Sequence, residues 1–130
     1  MTVINRTDAP VAVAEAGLEI RSIQAGDMYV GFEKWPRARL EALFEGMPGN
    51  ACQAEHWGFV LKGKMRARTK DGEITIEAGQ AYHLDRGHTV LEVLEPAEVV
   101  EFTPVKDPYL AETVRVFEQN LPKLLATLKR

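Results

Sequence analysis

A chain of 130 residues has room for one domain built around one core. Its apolar share of 45% and charged share of 27% are spread along the whole length, which is the balance of a packed globular protein and excludes a disordered one. A formal net charge of -3 argues against a partner chosen for negative charge, so nucleic acid is not an expected partner.

Taken in chain order, Leu18–Ile23 and Met28–Trp35 read as strands, separated by the turn-forming Ala25-Gly26-Asp27. Pro36 stops the second strand and suits the first turn of a short N-terminal helix. Leu40, Leu43 and Phe44 follow at helical spacing, and Gly46 serves as its cap. From Cys52 to Pro104 turn signals recur at Lys62-Gly63, Asp71-Gly72, Ala78-Gly79, Arg86-Gly87 and Glu95-Pro96, the rhythm of an antiparallel sandwich or barrel. A two-residue turn at Asp71-Gly72 pairs Lys70 with Glu73, Thr69 with Ile74, Ala67 with Ile76 and Arg66 with Glu77. That register puts Met65, Ala67, Thr69, Ile74 and Ile76 toward the core. The alternating Lys62, Lys64, Arg66, Arg68 and Lys70 then form a solvated, partly ion-paired face rather than a phosphate-binding stripe. Beyond Asp107, Leu110, Val114, Phe117, Leu121, Leu124 and Leu128 recur at intervals of three and four, which predicts an amphipathic helix over about 107–129. Pro122 predicts a kink there, or two consecutive helices.

No apolar run reaches the ~18–20 residues needed to cross a bilayer, and the opening MTVINRTDAP lacks a basic segment followed by an apolar one. The expectation is a cytoplasmic protein with no membrane partner. Its one cysteine, Cys52, has no intramolecular disulfide partner, so the thiol reads as a small buried hydrophobe or a metal ligand.

Strand parity carries the chemical reading. Cys52, Ala54, His56, Gly58 and Val60 share one face, and Trp57, Phe59 and Leu61 the other, so an inward Val60 brings His56 and Cys52 inward with it. Thiolate and neutral imidazole are sulfur and nitrogen donors suited to zinc. In Ala81–Glu92, a turn at Arg86-Gly87 joins two strands, and His88, Val90 and Glu92 share a face. The facing of His83 is open, because the turn can shift parity. No glycine loop has phosphate-cradling spacing, and the lone Ser22 lies outside any nucleophile-elbow pattern. A Cys52/His56 nucleophile pair is set aside on spacing, since same-face strand residues four apart lie roughly 13 Å apart along the backbone.

The middle of the chain resembles the cupin family, whose first motif reads G-x5-H-x-H-x3-4-E-x6-G and whose second reads G-x5-P-x-G-x2-H-x3-N. Val60-Leu61-Lys62-Gly63 matches the end of the first, and Gly79-x5-Asp85-Arg86-Gly87 the frame of the second. His56-Trp-Gly-Phe-Val-Leu-Lys-Gly63, Gly87-His88-Thr89 and Val99-Val-Glu-Phe-Thr-Pro104 are similar to small single-domain cupins. The motif histidines fall on Asn50 and Cys52, its glutamate on His56 and its last histidine on Val90, so no usual ligand is kept in kind. His88 precedes the vacated position by two.

The resemblance implies an all-β fold: a cupin-type double-stranded β-helix, or jelly-roll, barrel over about 17–104 within a single domain 1–130. It implies a rearranged metal site of Cys52, His56 and His88, completed by His83 or water. Zinc is the expected divalent metal, with iron, nickel or manganese as alternatives. Iron is weakened by the histidine at the carboxylate position, though Glu92 offers a replacement carboxylate. The partner is a small molecule inside the barrel, and a homodimer is expected. The expected roles are a lyase or isomerase, with His83 or Tyr82 carrying protons, a non-enzymatic ligand or metal sensor, or a metal-free barrel.

Overall fold

The computed structural model describes residues 2–130. Its strands are β1 (Val11–Glu15), β2 (Leu18–Ala25), β3 (Met28–Trp35), β4 (Ala38–Arg39), β5 (His56–Thr69), β6 (Gly72–Glu77), β7 (Ala81–Leu84) and β8 (Thr89–Pro104), followed by one α-helix, α1 (Leu110–Leu128). They form an antiparallel sheet in the order β1-β2-β3-β8-β5-β6, with β4 added to β8 and β7 to β5. The sheet curls into a jelly-roll barrel because its two long strands each serve two neighbourhoods. β5 pairs first with β7 and then with β6, while β8 pairs first with β4 and then with β3.

Lys62-Gly63 and Glu95-Pro96 are therefore not turns. Both lie inside long strands, where the β5–β8 register slips repeatedly by single residues. Such bulges bend and twist a strand without ending it. At the crossing, Gly63 adopts φ +86°, and a Cβ there would lie 2.6 Å from Ala97 Cα and overlap the Pro96 carbonyl oxygen. One further bulge matters for the interior. Ala67 pairs with Val90 but Arg66 with Glu92, so Leu91 is the extra residue and Glu92 rotates to the outer face. There it accepts from Arg66 at 3.1 Å, so it does not share a face with Val90.

The β5–β6 hairpin turns at Lys70-Asp71, with Thr69 opposite Gly72 and Ala67 opposite Ile74, two residues from the expected pairing. The Thr69 hydroxyl explains the choice: it accepts from the Asp71 N–H at 3.1 Å and donates to the Gly72 carbonyl at 2.9 Å. A two-residue shift preserves parity. Met65, Ala67 and Ile76 are buried as expected, but Ile74 is 40% exposed, and Arg66 on the opposite face pairs with Glu73 rather than Glu77.

The region after Pro36 also departs from expectation. Ala38–Arg39 pairs with β8 before a single 3-10 turn forms over Glu41–Phe44, so no α-helix starts at Pro36. Leu40, Leu43 and Phe44 are nonetheless buried. β1, which the strand signals did not reveal, extends the sheet edge. α1 runs unbroken through Pro122, which sits on its exposed side, so two consecutive helices do not occur. Val116 and Leu124 enter the same core as Leu18, Val60 and Val99. Asn120 Nδ2 donates to the carbonyls of Leu43 (3.0 Å) and Glu45 (2.8 Å), fixing the helix against the 3-10 turn. Burying each such aliphatic side chain contributes roughly 1.5–3 kcal/mol. Among the described residues no helix is long and apolar enough to cross a membrane.

Gly63→Ala is expected to cost at least about 3 kcal/mol, from the left-handed backbone plus the collision with the Pro96–Ala97 backbone. Gly26→Ala, at φ +60° with open space around it, is expected to cost only about 1 kcal/mol, both read from urea denaturation.

Candidate functional site

The barrel and α1 line a half-open cavity of about 660 Å³. Its walls are mainly apolar, with Trp35, Phe44, Met65, Leu84, Val99 and Phe117 among them. Polar groups gather in two adjoining places.

The first place is Cys52, His56 and His88. Residues 53–55, just before β5, are not strand, and Cys52 makes an isolated bridge to His88. Cys52 N–H donates to the His88 carbonyl at 2.7 Å and Gly87 N–H to the Cys52 carbonyl at 2.8 Å. The chain bends between 52 and 56, and Cys52 Sγ comes to 3.4 Å from His56 Nε2. The objection from strand spacing is therefore overturned, because it assumed an extended backbone. One ligand atom from each of Cys52, His56 and His88 lies within 4.8 Å of the others. Cys52 and His88 are each only 2% exposed.

Both imidazoles are held from behind. His88 Nδ1 lies 2.7 Å from the Asp85 carbonyl, which can only accept, so that nitrogen carries the proton and Nε2 is left as a lone pair. His56 Nδ1 meets the Thr103 hydroxyl at 2.7 Å, with Glu101 Oε2 at 3.7 Å, leaving Nε2 toward the thiol. Burial lowers both values, that of His88 to about 4, so both rings are neutral at pH 7. Burial likewise pushes the Cys52 thiol up to about 11, and it stays protonated while no cation is beside it. A free thiolate–imidazolium nucleophile pair is thus absent even at 3.4 Å.

The second place is a carboxyl pair that the motifs did not reveal. Glu33 on β3 and Glu101 on β8 both line the cavity. Trp35 Nε1 donates to Glu33 at 2.8 Å, and the Tyr82 hydroxyl donates to Glu101 at 2.8 Å. Burial raises both carboxyl groups, that of Glu33 further through the charge of Glu101, so the two titrate as a pair. Glu101 has glycine on both neighbouring strands, Gly31 and Gly58. A Cβ at Gly58 would meet Tyr82 Cε2 at 2.7 Å, so the missing side chain is what lets the Tyr82 ring lie across the strand.

Of the expected site residues, Tyr82 faces the cavity, but burial and the two carboxyl groups raise its value far above the phenol range, so it acts as a donor. His83 does not join the cluster. One position along β7, it lies on the outer face, stacked on Trp57 at 4.7 Å and bonded through Nε2 to Glu55 at 2.8 Å. It can neither complete a Cys52–His56–His88 site nor carry a proton to the cavity. Asp107, also unforeseen, ties α1 to the site. Burial alone would raise it, but the N–H groups of Glu55 and Tyr109 and the Arg86 guanidinium overcome that and hold it below the usual range.

A carboxyl group whose folded value is raised stabilises the fold fully below its ordinary value near 4.5 and loses that contribution as pH climbs through the raised value. The Glu33→Gln/Glu101→Gln chain is therefore expected to be more stable than the parent at about pH 8, by at least about 1.4 kcal/mol, with the gain vanishing toward about pH 4.5. Urea denaturation across pH checks this, and a gain that grows toward acid pH contradicts it.

No protein-family model matches the sequence, and no curated protein matches it. Solved structures do. A Rhizobium leguminosarum protein of unknown function has a TM-score of 0.60 at 18% identity, over 80% of this chain and 96% of that one. A putative ethanolamine utilization protein of Salmonella typhimurium has 0.58 at 12% identity, over 81% and 86%. The polyketide cyclase RemF of Streptomyces resistomycificus has 0.52 at 20% identity, over 83% and 82%. The last two are cupin-fold proteins, and with the strand order and the cavity described above they show that this chain has the cupin fold.

Proposed function

We propose that the chain is a metal-binding cupin that takes a small molecule into its barrel, with Cys52, His56 and His88 holding a divalent metal. The observation that carries this reading is the 3.4 Å separation of Cys52 Sγ and His56 Nε2. A tetrahedral zinc with ordinary bond lengths sets its sulfur and nitrogen ligands about 3.5 Å apart. The donor set fits in other ways. Both histidines are neutral, and their Nδ1 atoms are anchored, the support that orients metal-binding imidazoles. A cation beside the thiol reverses its preference for the proton.

One sulfur and two imidazole nitrogens favour zinc over manganese or a carboxylate-held iron, and Glu92, on the outer face, does not restore a carboxylate. Three protein ligands leave a position open, as catalytic sites do. A bound metal there supplies Lewis acidity toward a carbonyl or carboxylate. The chain's own contribution is a carboxyl pair raised toward its protonated form, the Tyr82 donor that orients Glu101, and mainly apolar walls. This equips a lyase or isomerase, and one neighbour of the same fold is a polyketide cyclase.

The reading includes a single domain over 1–130 in the reducing cytoplasm, where Cys52 stays a free thiol. It also includes a homodimer. On the outer face, Trp57 (39% exposed), Phe59 (39%) and Leu61 (56%) adjoin Phe102 and Val100 of β8, with Val30 and Phe32 of β3 beyond them. The edge of this apolar strip carries Lys34 and Lys62, both paired with Glu98 between them. A second copy of the chain is its occupant.

Elemental analysis of protein purified without an affinity tag is expected to find about one zinc per chain, falling at least about fivefold in His56→Ala and His88→Ala. Less than about 0.2 metal per chain, unchanged in His56→Ala, leaves only a metal-free barrel. With metal present, turnover of a small carbonyl compound, as against thermal stabilisation alone, separates enzyme from sensor. Light scattering is expected to find a dimer that Trp57→Glu/Phe59→Glu converts to a monomer. A parent chain that is monomeric at micromolar concentration removes the dimer.

A further inference from the structure

The lining of the cavity has a charge sign that selects its ligand. Its acidic side chains are Glu33, Glu101 and Asp107, and no lysine or arginine lines it. Asp107 is neutralised from outside the cavity by Arg86, whose Nη1 lies 3.1 Å from Oδ2. Glu33 and Glu101 have no such partner. Their neighbours are the neutral donors Trp35 and Tyr82 and the imidazole of His56. On the strands around the pair, basic side chains face outward, where Lys34 of β3 pairs with Glu98 and Arg66 of β5 with Glu92.

A buried charge needs a compensating partner, and with no lysine or arginine in this lining an anion entering beside the two carboxyl groups finds none. The pair retains acceptor oxygens beyond those used by Trp35 and Tyr82, since each carboxylate offers about four lone-pair sites. What can fill those sites is a hydrogen-bond donor. Apart from the hydroxyls of Ser22, Tyr29 and Thr113, the remaining walls, from Ile20 and Leu40 to Val114 and Phe117, are mainly hydrocarbon and aromatic surface. A volume of about 660 Å³ lies within the ~300–1,000 Å³ of pockets that bury drug-sized ligands.

Resting on the reading of this cavity as the ligand site, we propose that its ligand is a predominantly apolar, non-anionic molecule whose hydroxyl group donates to the Glu33–Glu101 pair. Carboxylate and phosphate compounds are rejected by the same pair. Of the two groups a Lewis acid in this barrel would polarise, a carbonyl fits the cavity and a carboxylate does not. His56 stands between the two polar places, 3.4 Å from Cys52 and 3.7 Å from Glu101, so a ligand held by the carboxyl pair lies beside the sulfur and nitrogen donors.

Isothermal titration of the full chain with 2-naphthol and with 2-naphthoate, one apolar body carrying either a hydroxyl or a carboxylate, tests the proposal. Each titration is made on protein as purified and again after EDTA treatment. The hydroxyl compound is expected to bind at least about tenfold more tightly in both forms. In Glu33→Gln/Glu101→Gln, checked for folding by circular dichroism, 2-naphthoate is expected to gain at least about tenfold while 2-naphthol changes less than about threefold. Equal or tighter binding of 2-naphthoate by the parent chain in either form overturns the proposal, as does an unchanged 2-naphthoate affinity in the folded double variant. Loss of the metal reading is seen separately, in elemental analysis, and leaves the EDTA-treated comparison intact.

Discussion

Two backbone hydrogen bonds exchanged between Cys52 and the Gly87-His88 pair join the approach to β5 to the start of β8, and the cavity wall takes its geometry from them. Neither Cys52 nor His88 belongs to a strand ladder, so this bridge is the backbone pairing that fixes the path of the chain at Cys52. Arg86 reinforces it by donating to the Gln53 carbonyl at 2.7 Å and to Asp107 at the entry to α1. The thiol, the second imidazole and the helix that roofs the cavity are thereby positioned by one small set of contacts. A cysteine four residues before a histidine becomes its neighbour only because the bridge interrupts the strand.

Burial dominates the electrostatics of the interior in one consistent direction. It lowers both histidines, raises the thiol, and raises both carboxyl groups and the phenol, so each of these groups is pushed toward its neutral form, while Asp107, held by Arg86 and two backbone N–H groups, is not. Groups held neutral by burial respond strongly to a cation placed beside them, because an apolar surrounding screens the new charge less than water does. The same property makes the site costly to the fold, since carboxyl groups kept from water oppose folding as pH rises. Sites that do chemistry commonly retain such groups despite the cost.

Much of this was legible in the sequence, and the failures have identifiable physical causes. Alternation over Cys52–Val60 placed the thiol and first imidazole on the inner face correctly, because a period of two survives even a bent approach to the strand. Parity failed at Glu92, where the Leu91 bulge inserts one residue that no local signal announces. It was silent on His83, which follows the outward side of β7. Glu33 and Glu101 escaped because they belong to no motif, although each carried a readable sign: Glu33 shares parity with Gly31 and Trp35, and Glu101 with Val99 and Thr103, so both acids stand on inward faces. Their meeting across β3 and β8 is a matter of long-range register, which one strand read alone does not contain.

Gly58 gives the architecture an unusual point of vulnerability. The Tyr82 hydroxyl reaches Glu101 only because the strand beneath the ring has no side chain at that position. A single methyl group introduced there would evict the phenol while leaving every polar residue of the interior intact. Heritable loss of this site can thus begin at a codon that specifies no functional group at all, and descendants would keep a complete set of chemical parts with no room to assemble them.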